Sequence, residues 1–195
     1  MHYRIPEEIF QHEVEQALQV LREGGTILYP TDTVWGIGCD ATNEEAVEKI
    51  FSIKERPANR SCIILLADER DLIQYVAALD LSVFNYLDSL DSPTTIIFDD
   101  AVGIAENAVA EDGSVAIRIV KEPFCKNLIK RLRKPLISTS ANISGAPTPA
   151  SFADISPEIK QRVDHIVRLR QDENSSAKPS SIVRWNDGNP ELIRS

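Results

Sequence analysis

The chain has 195 residues, a length that favours one domain and buries enough apolar surface to fold without a disulfide or a metal. Hydrophobic residues make up 43% and charged residues 26%, with 8 glycines and 11 prolines, which excludes collagen-like and low-complexity classes. The net charge of −9 works against long-range attraction to nucleic acid, and no segment reaches the ~20 apolar residues of a membrane span.

Apolar residues Ile9, Phe10, Val14, Ala17, Leu18 and Leu21 recur at helical spacing over residues 7–23, and Gly24-Gly25 supplies the stop. Thr26 to Tyr29 reads as a strand ended by Pro30. Thr42 with Glu45 resembles a capping box that opens a helix through Ile53. Cys62 to Ala67 has the length of a buried strand, and two helical stretches follow at about 69–78 and 81–90. Thr94–Phe98 and Val115–Ile119 read as strands around an acidic, irregular stretch, 99–113, with room for one helical turn.

Pro123 suits the first turn of a helix that buries Phe124, Leu128, Ile129 and Leu132. Leu136-Ile137 begins a strand that runs into Ser138-Thr139-Ser140-Ala141-Asn142. Ser156-Pro157 caps a helix to about 163, and Ile166–Leu169 is a further strand. The polar stretch 171–179 reads as a loop and a candidate lid. Ile182–Trp185 and Glu191–Arg194 flank the hairpin turn Asn186-Asp187-Gly188-Asn189. About eight strands and five or six helices, without repeat or linker, predict one α/β domain, and the late hairpin predicts a mixed sheet.

Three cysteines, Cys39, Cys62 and Cys125, show no CxxC spacing, and three histidines are too few for a histidine-rich metal centre. With acids where a signal peptide needs an apolar core, these features predict a reduced, cytoplasmic protein with no membrane association. Charge is uneven: residues 1–53 carry ten acids against three bases, whereas 118–134 carry seven bases against one acid. Local basic spots in an acidic chain suit a small anion such as a nucleotide phosphate.

Hydroxyl-rich loops follow three apolar runs: Thr31-Asp32-Thr33, Ser138 to Asn142, and Ser180-Ser181. Loops at strand ends are common ligand sites in α/β sheets, and hydroxyls both donate and accept. Lys54 and Arg56 add cationic charge. There is no GxxxxGK[ST] loop and no GxSxG elbow, and Gly36-x-Gly38 lacks the third glycine of a dinucleotide fingerprint. Lysine, arginine and hydroxyls without an evident nucleophile suit phosphoryl or nucleotidyl transfer by positioning and charge neutralisation.

Tyr29-Pro30-Thr31-Asp32-Thr33-Val34-Trp35-Gly36-Ile37-Gly38 resembles the YPTDTVYGLG signature of the YrdC family, the threonylcarbamoyl-AMP synthases. Lys54-Glu55-Arg56-Pro57 resembles its KxRP element, Val115-Ala116-Ile117-Arg118 its VAVR strand, Ser138 to Gly145 its SAN loop, and Pro179-Ser180-Ser181-Ile182 its PST[IV] element. The order and spacing agree from about residue 10 onward. Trp35 stands where the family has tyrosine, Ser92-Pro93-Thr94-Thr95 is a poor match to its GPLT stretch, and no glycine follows Arg194.

The resemblance implies a single YrdC-like domain over residues 1–195, with a twisted mixed parallel/antiparallel sheet, flanking helices and a deep cleft. It implies formation of threonylcarbamoyl-adenylate and pyrophosphate from L-threonine, bicarbonate and ATP with Mg²⁺. Downstream threonylcarbamoyl-transferase proteins would carry the group to tRNA, which this chain would meet indirectly or weakly. By the same resemblance, Lys54 and Arg56 neutralise the ATP phosphates, and Thr31, Arg118, Ser138 and Ser180 hold threonine or its carbamate. Ser114, Ser140, Asn142, Thr148 and Arg194 hold the nucleotide. Two other readings stay open: an RNA-binding module without catalysis, and a relative that adenylates plain carbamate.

Overall fold

The structure, a computed structural model, describes residues 5–55, 62–173 and 178–195. Nine strands among these form one sheet: β1 (Ile27–Tyr29), β2 (Gly36–Gly38), β3 (Ile63–Leu66), β4 (Thr94–Phe98), β5 (Val115–Ile119), β6 (Leu136–Ser140), β7 (His165–Ile166), β8 (Ser181–Asn186) and β9 (Asn189–Arg194). Their order is β7-β1-β2-β6-β3-β5-β4-β8-β9. The pairs β1/β7, β3/β5 and β4/β8 are parallel and the other five are antiparallel, so the sheet is mixed as the hairpin predicted.

Five α-helices accompany it: α1 (Glu7–Arg22), α2 (Glu44–Lys54), α3 (Val83–Asp88), α4 (Pro123–Leu132) and α5 (Pro157–Arg162). Successive residues of a strand face opposite sides, so each strand feeds two cores. On one side, α1 and α4 cover Ile27, Tyr29, Leu65 and Leu136. On the other, α2 and α5 cover Leu28, Ile37, Ile64 and Ile137, and the same core continues under Ile96, Ile117 and Val183.

Local chemistry sets the helix ends. Gly24, at φ 74, takes the left-handed conformation that stops the first helix. Asn43, not Thr42, caps α2: its side chain accepts from the Ala46 N–H at 3.1 Å. Thr42 is drawn away because its hydroxyl donates to Asp40 Oδ1 at 2.7 Å. The Glu122 carboxylate accepts from Cys125 N–H at 2.7 Å and, with Pro123 in the first turn, starts α4. Burial pushes the Glu122 carboxyl upward from its ordinary range, opposed by that same hydrogen bond.

Three elements differ from the sequence expectations. The stretch expected as helix over 69–78 is a 3₁₀ segment, Glu69–Gln74, and Ala78 has a positive φ of 50° that no helix continues through. The strand expected at Ile166–Leu169 is the shorter β7, and Arg170, at φ 57, turns the chain away. β2 was not foreseen. Gly-Ile-Gly has little strand preference of its own, but β1 and β6 flank it and supply partners on both edges.

Close approach explains the glycine at position 38. A Cβ there would lie 2.2 Å from the Ile137 carbonyl oxygen and 2.8 Å from Tyr29 Cε1. Tyr29 itself donates its hydroxyl to that same Ile137 oxygen at 3.1 Å. Gly38→Ala is therefore expected to cost about 3 kcal/mol by forcing β1, β2 and β6 apart. Urea unfolding of the wild type and the variant measures it.

Candidate active site

The helices α1 and α4 cover only part of their face of the sheet. Leu65 lies beneath them, whereas Ile63, two residues earlier, and Ala116, its register partner, floor an open cleft. Ile97 pairs with Ala116, and Ile182 of β8 extends the floor. The cavity has a volume of about 300 Å³. Six residues expected at the site line it: Arg118, Ser138, Ser140, Thr148, Ser180 and Arg194. They come from β5, β6, β9 and two loops, and the register explains why they meet. Ser138 pairs with Ile63, Ile63 with Ala116, and Ile182 with Arg194, so these residues stand on one face in neighbouring strands.

Four others stand behind this wall. Lys54, 3% exposed, ends α2, and its Nζ donates to the backbone carbonyls of Ser140 and of Asn142, the latter at 2.7 Å. The Lys54 carbonyl in turn accepts from Ser144 N–H at 2.8 Å, so this one residue clips the 140–144 loop at both ends. Asn142 donates through Nδ2 to the carbonyls of Ile143 and Ala146, which leaves its Oδ1 buried without a partner among the described residues. Thr31 is buried beneath Thr33, a residue that does line the cavity. Ser114 is buried just before β5, where its N–H donates to Asp112 Oδ1 at 3.0 Å. Arg56 and part of the expected lid, residues 174–177, lie outside the described residues.

Arg118 dominates the electrostatics. Its side chain is 4% exposed and its Nη2 lies 3.1 Å from Asp32 Oδ1. Burying a guanidinium is costly unless a carboxylate offsets it, and Asp32 does so from the loop after β1. The Lys121 N–H donates to the other Asp32 oxygen at 3.3 Å. Arg118 Nε is buried and has no hydrogen-bond partner among the described residues.

Arg194 Nη2 donates to the Ser180 carbonyl at 2.9 Å, tying the last strand to the segment that enters its neighbour β8. Arg170 Nη1 donates to the Thr31 carbonyl at 3.1 Å and its Nε to Glu173 at 2.7 Å, which anchors the 170–173 turn beside the Thr31–Thr33 loop. Trp35, which stands where the family has tyrosine, packs on Phe152 with ring centroids 4.8 Å apart.

Three contributors escaped the sequence reading. Thr33, in the hydroxyl-rich loop after β1, lines the cavity, whereas the resemblance points to Thr31. Asp32 acts through Arg118, 86 positions away in sequence, and Thr95 lies under Ser180. Only the order of strands in the sheet makes these pairs. Among the described residues no group of three or more His, Cys, Asp or Glu is placed to hold a metal. No helix there is long and apolar enough to cross a membrane.

A cleft with two arginines and several hydroxyls, on the uncovered face of a mixed α/β sheet, has the chemistry to hold small anions. The chain belongs to the Sua5/YciO/YrdC family, described as telomere recombination, whose pattern it matches over residues 19–195. It is 31% identical over 160 residues to a threonylcarbamoyl-AMP synthase of Pseudoalteromonas translucida, covering 80% of this chain and 86% of that protein. It is 33% identical over 184 residues to a putative threonylcarbamoyl-AMP synthase of Methanocaldococcus jannaschii, covering 92% and 86%.

Its fold is shared with P. abyssi Sua5 complexed with L-threonine, at a TM-score of 0.84 and 24% identity, over 98% of this chain and 55% of that one. E. coli YciO follows at a TM-score of 0.81 and 22% identity, over 95% and 89%. Fold and family thus agree with the expectation from the motifs.

Replacing Lys54 with methionine keeps the stem and removes the ammonium. Hydrogen bonds to a charged group are worth about 1.5–3 kcal/mol each, so K54M, which loses two, is expected to lose about 3 kcal/mol or more of stability. The 140–144 loop should also become sensitive to proteolysis, checked by limited digestion and mass spectrometry.

Proposed function

We propose that this chain is a threonylcarbamoyl-AMP synthase, which joins L-threonine, bicarbonate and ATP into threonylcarbamoyl-adenylate and pyrophosphate. The observation that carries the reading is the single cleft in which Arg118, Arg194, Ser138 and Ser180 converge, in a chain 31% identical to a synthase of this name. The cleft is lined by arginines and hydroxyls beside apolar residues. Its donors match carboxylate, carbamate and phosphate.

The threonine amine first captures CO₂ from bicarbonate and gives up a proton, forming a carbamate. A carbamate oxygen then attacks the α-phosphorus of ATP in line. A new O–P bond forms, the bond to the bridging oxygen breaks, and pyrophosphate leaves with the bonding pair. No covalent bond to the protein is needed, so the site works by alignment and charge neutralisation.

Arg118, preset by Asp32, holds the threonine carboxylate. Ser138 and Ser180 orient the amino acid, and Thr31 acts through the Thr33 hydroxyl that it supports. Ser140, Thr148 and Arg194 contact the nucleotide from the cavity wall, and Asn142 shapes the loop behind them through its hydrogen bonds to Ile143 and Ala146. Lys54 contributes its charge beneath the 140–144 loop, Arg56 adds a second charge at the phosphates, and Ser114 supports the start of β5. Mg²⁺ enters with ATP as part of the substrate, held by phosphates and water, since the described residues offer no carboxylate cluster.

The adenylate is a labile mixed anhydride, so the product passes to a transferase acting on tRNA adenosine, and the protein works in the cytoplasm. Pyrophosphate release in the presence of ATP, Mg²⁺ and bicarbonate should depend on L-threonine. Arg118→Ala should reduce kcat/KM for threonine by about 100-fold and, by leaving Asp32 without its partner, lower stability as well. Pyrophosphate release without threonine dependence would overturn the reading, and salt-sensitive, sub-micromolar tRNA binding would favour the RNA module instead.

A further inference from the structure

Two hydroxyl pairs border the cleft, and in each the direction of the hydrogen bond follows from what surrounds it. Thr95 Oγ1 and Ser180 Oγ lie 2.8 Å apart, a separation that places one hydrogen between them. Thr95 is wholly buried, and Ser180 is its one side-chain hydrogen-bond partner among the described residues. Were Ser180 the donor, the Thr95 hydrogen would be left in dry protein with no acceptor, an arrangement native interiors avoid. Thr95 therefore donates and Ser180 accepts. Ser180 lines the cavity and Thr95 does not, so the Ser180 hydrogen is directed to whatever the cleft holds.

The second pair runs the other way. Thr31 Oγ1 lies 2.7 Å from the Val34 carbonyl oxygen, which can only accept, so the single Thr31 hydrogen goes there. Thr31 Oγ1 also accepts from Thr33 N–H at 3.0 Å. Its 3.0 Å contact with Thr33 Oγ1 must then take its hydrogen from Thr33. Thr33 lines the cavity and has only lone pairs left to offer it. The cleft is thus polarised: Ser180 donates and Thr33 accepts.

We propose that Thr95 is a positioning residue that commits Ser180 to donate to a carboxylate oxygen of bound L-threonine, while Thr33 accepts from an N–H or O–H of the same molecule. This rests on the synthase reading above and deepens it, because the fixed hydroxyl directions suit a ligand with an anionic acceptor at one end and a donor at the other. Thr95 touches no substrate and acts only through Ser180.

The test compares the full chain with Thr95→Val, Thr95→Ser, Ser180→Ala and the double variant T95V/S180A. Calorimetry gives the L-threonine Kd, and pyrophosphate release gives KM for threonine and for ATP. T95V should weaken threonine binding about tenfold with KM for ATP unchanged, and Thr95→Ser should restore it. The double variant should bind threonine no more weakly than S180A alone, because Thr95 has no other route to the ligand.

Equal threonine affinity in wild type and T95V, additive losses in the double variant, or parallel rises in both KM values would overturn the proposal. Should T95V fail to fold by circular dichroism, Thr95→Cys, with similar volume and a weaker donor, takes its place and should lie between wild type and S180A. A wild type that neither binds L-threonine nor responds to it would overturn the synthase reading itself, a result distinct from any of these.

Discussion

A buried guanidinium sets the terms for this molecule. Arg118 points into the cleft from the middle strands of the sheet with only 4% of its side chain exposed, and a charge in that position needs a partner. Asp32 supplies it from the loop after β1. The pair joins two halves of the sheet across several strands and gives the loop a reason to adopt one conformation. The same contact makes burial tolerable and fixes the arginine where it lines the cleft.

Lys54 solves a similar problem by a different means. Its ammonium is satisfied at least in part by the carbonyls of Ser140 and Asn142, so the charge is spent on shaping a loop. That loop carries hydroxyl and amide groups expected at the nucleotide. A lysine that looks in sequence like a phosphate contact is in the fold also the fastening of the segment opposite. Positioning and charge are thereby coupled: moving the ammonium toward a phosphate would loosen the loop that helps to hold it.

The sheet brings these groups together through register. Ser138, Ile63 and Ala116 are aligned across β6, β3 and β5, and Ile182 pairs with Arg194 at the far edge. The face they share is half covered by α1 and α4, and the uncovered half is the cleft. Since a shift of one residue in any strand would turn its side chains to the opposite face, the packing of Leu65 and Leu136 under the helices also holds the site in register.

Much of this was legible in the amino-acid sequence. Thr94–Phe98, Val115–Ile119 and the helix after Pro123 announce themselves by apolar periodicity and end signals, and their observed limits agree. The five ordered motifs identified the family, because hydroxyls, arginines and glycines stand at fixed intervals along the chain. β2 was not legible, since two glycines in three residues carry no strand preference and the segment is made a strand by its neighbours. Nor were the roles of Asp32, Thr33 and Thr95. Local periodicity speaks only for contacts within a few residues, and these side chains act on partners that the chain reaches after crossing the sheet or, for Thr33, through a hydroxyl whose direction depends on Val34. The sequence by itself determined the elements, the family and the chemical character of the site. The tertiary structure alone decided which hydroxyl donates, which accepts and which cation is spoken for, because those depend on burial and on strand register.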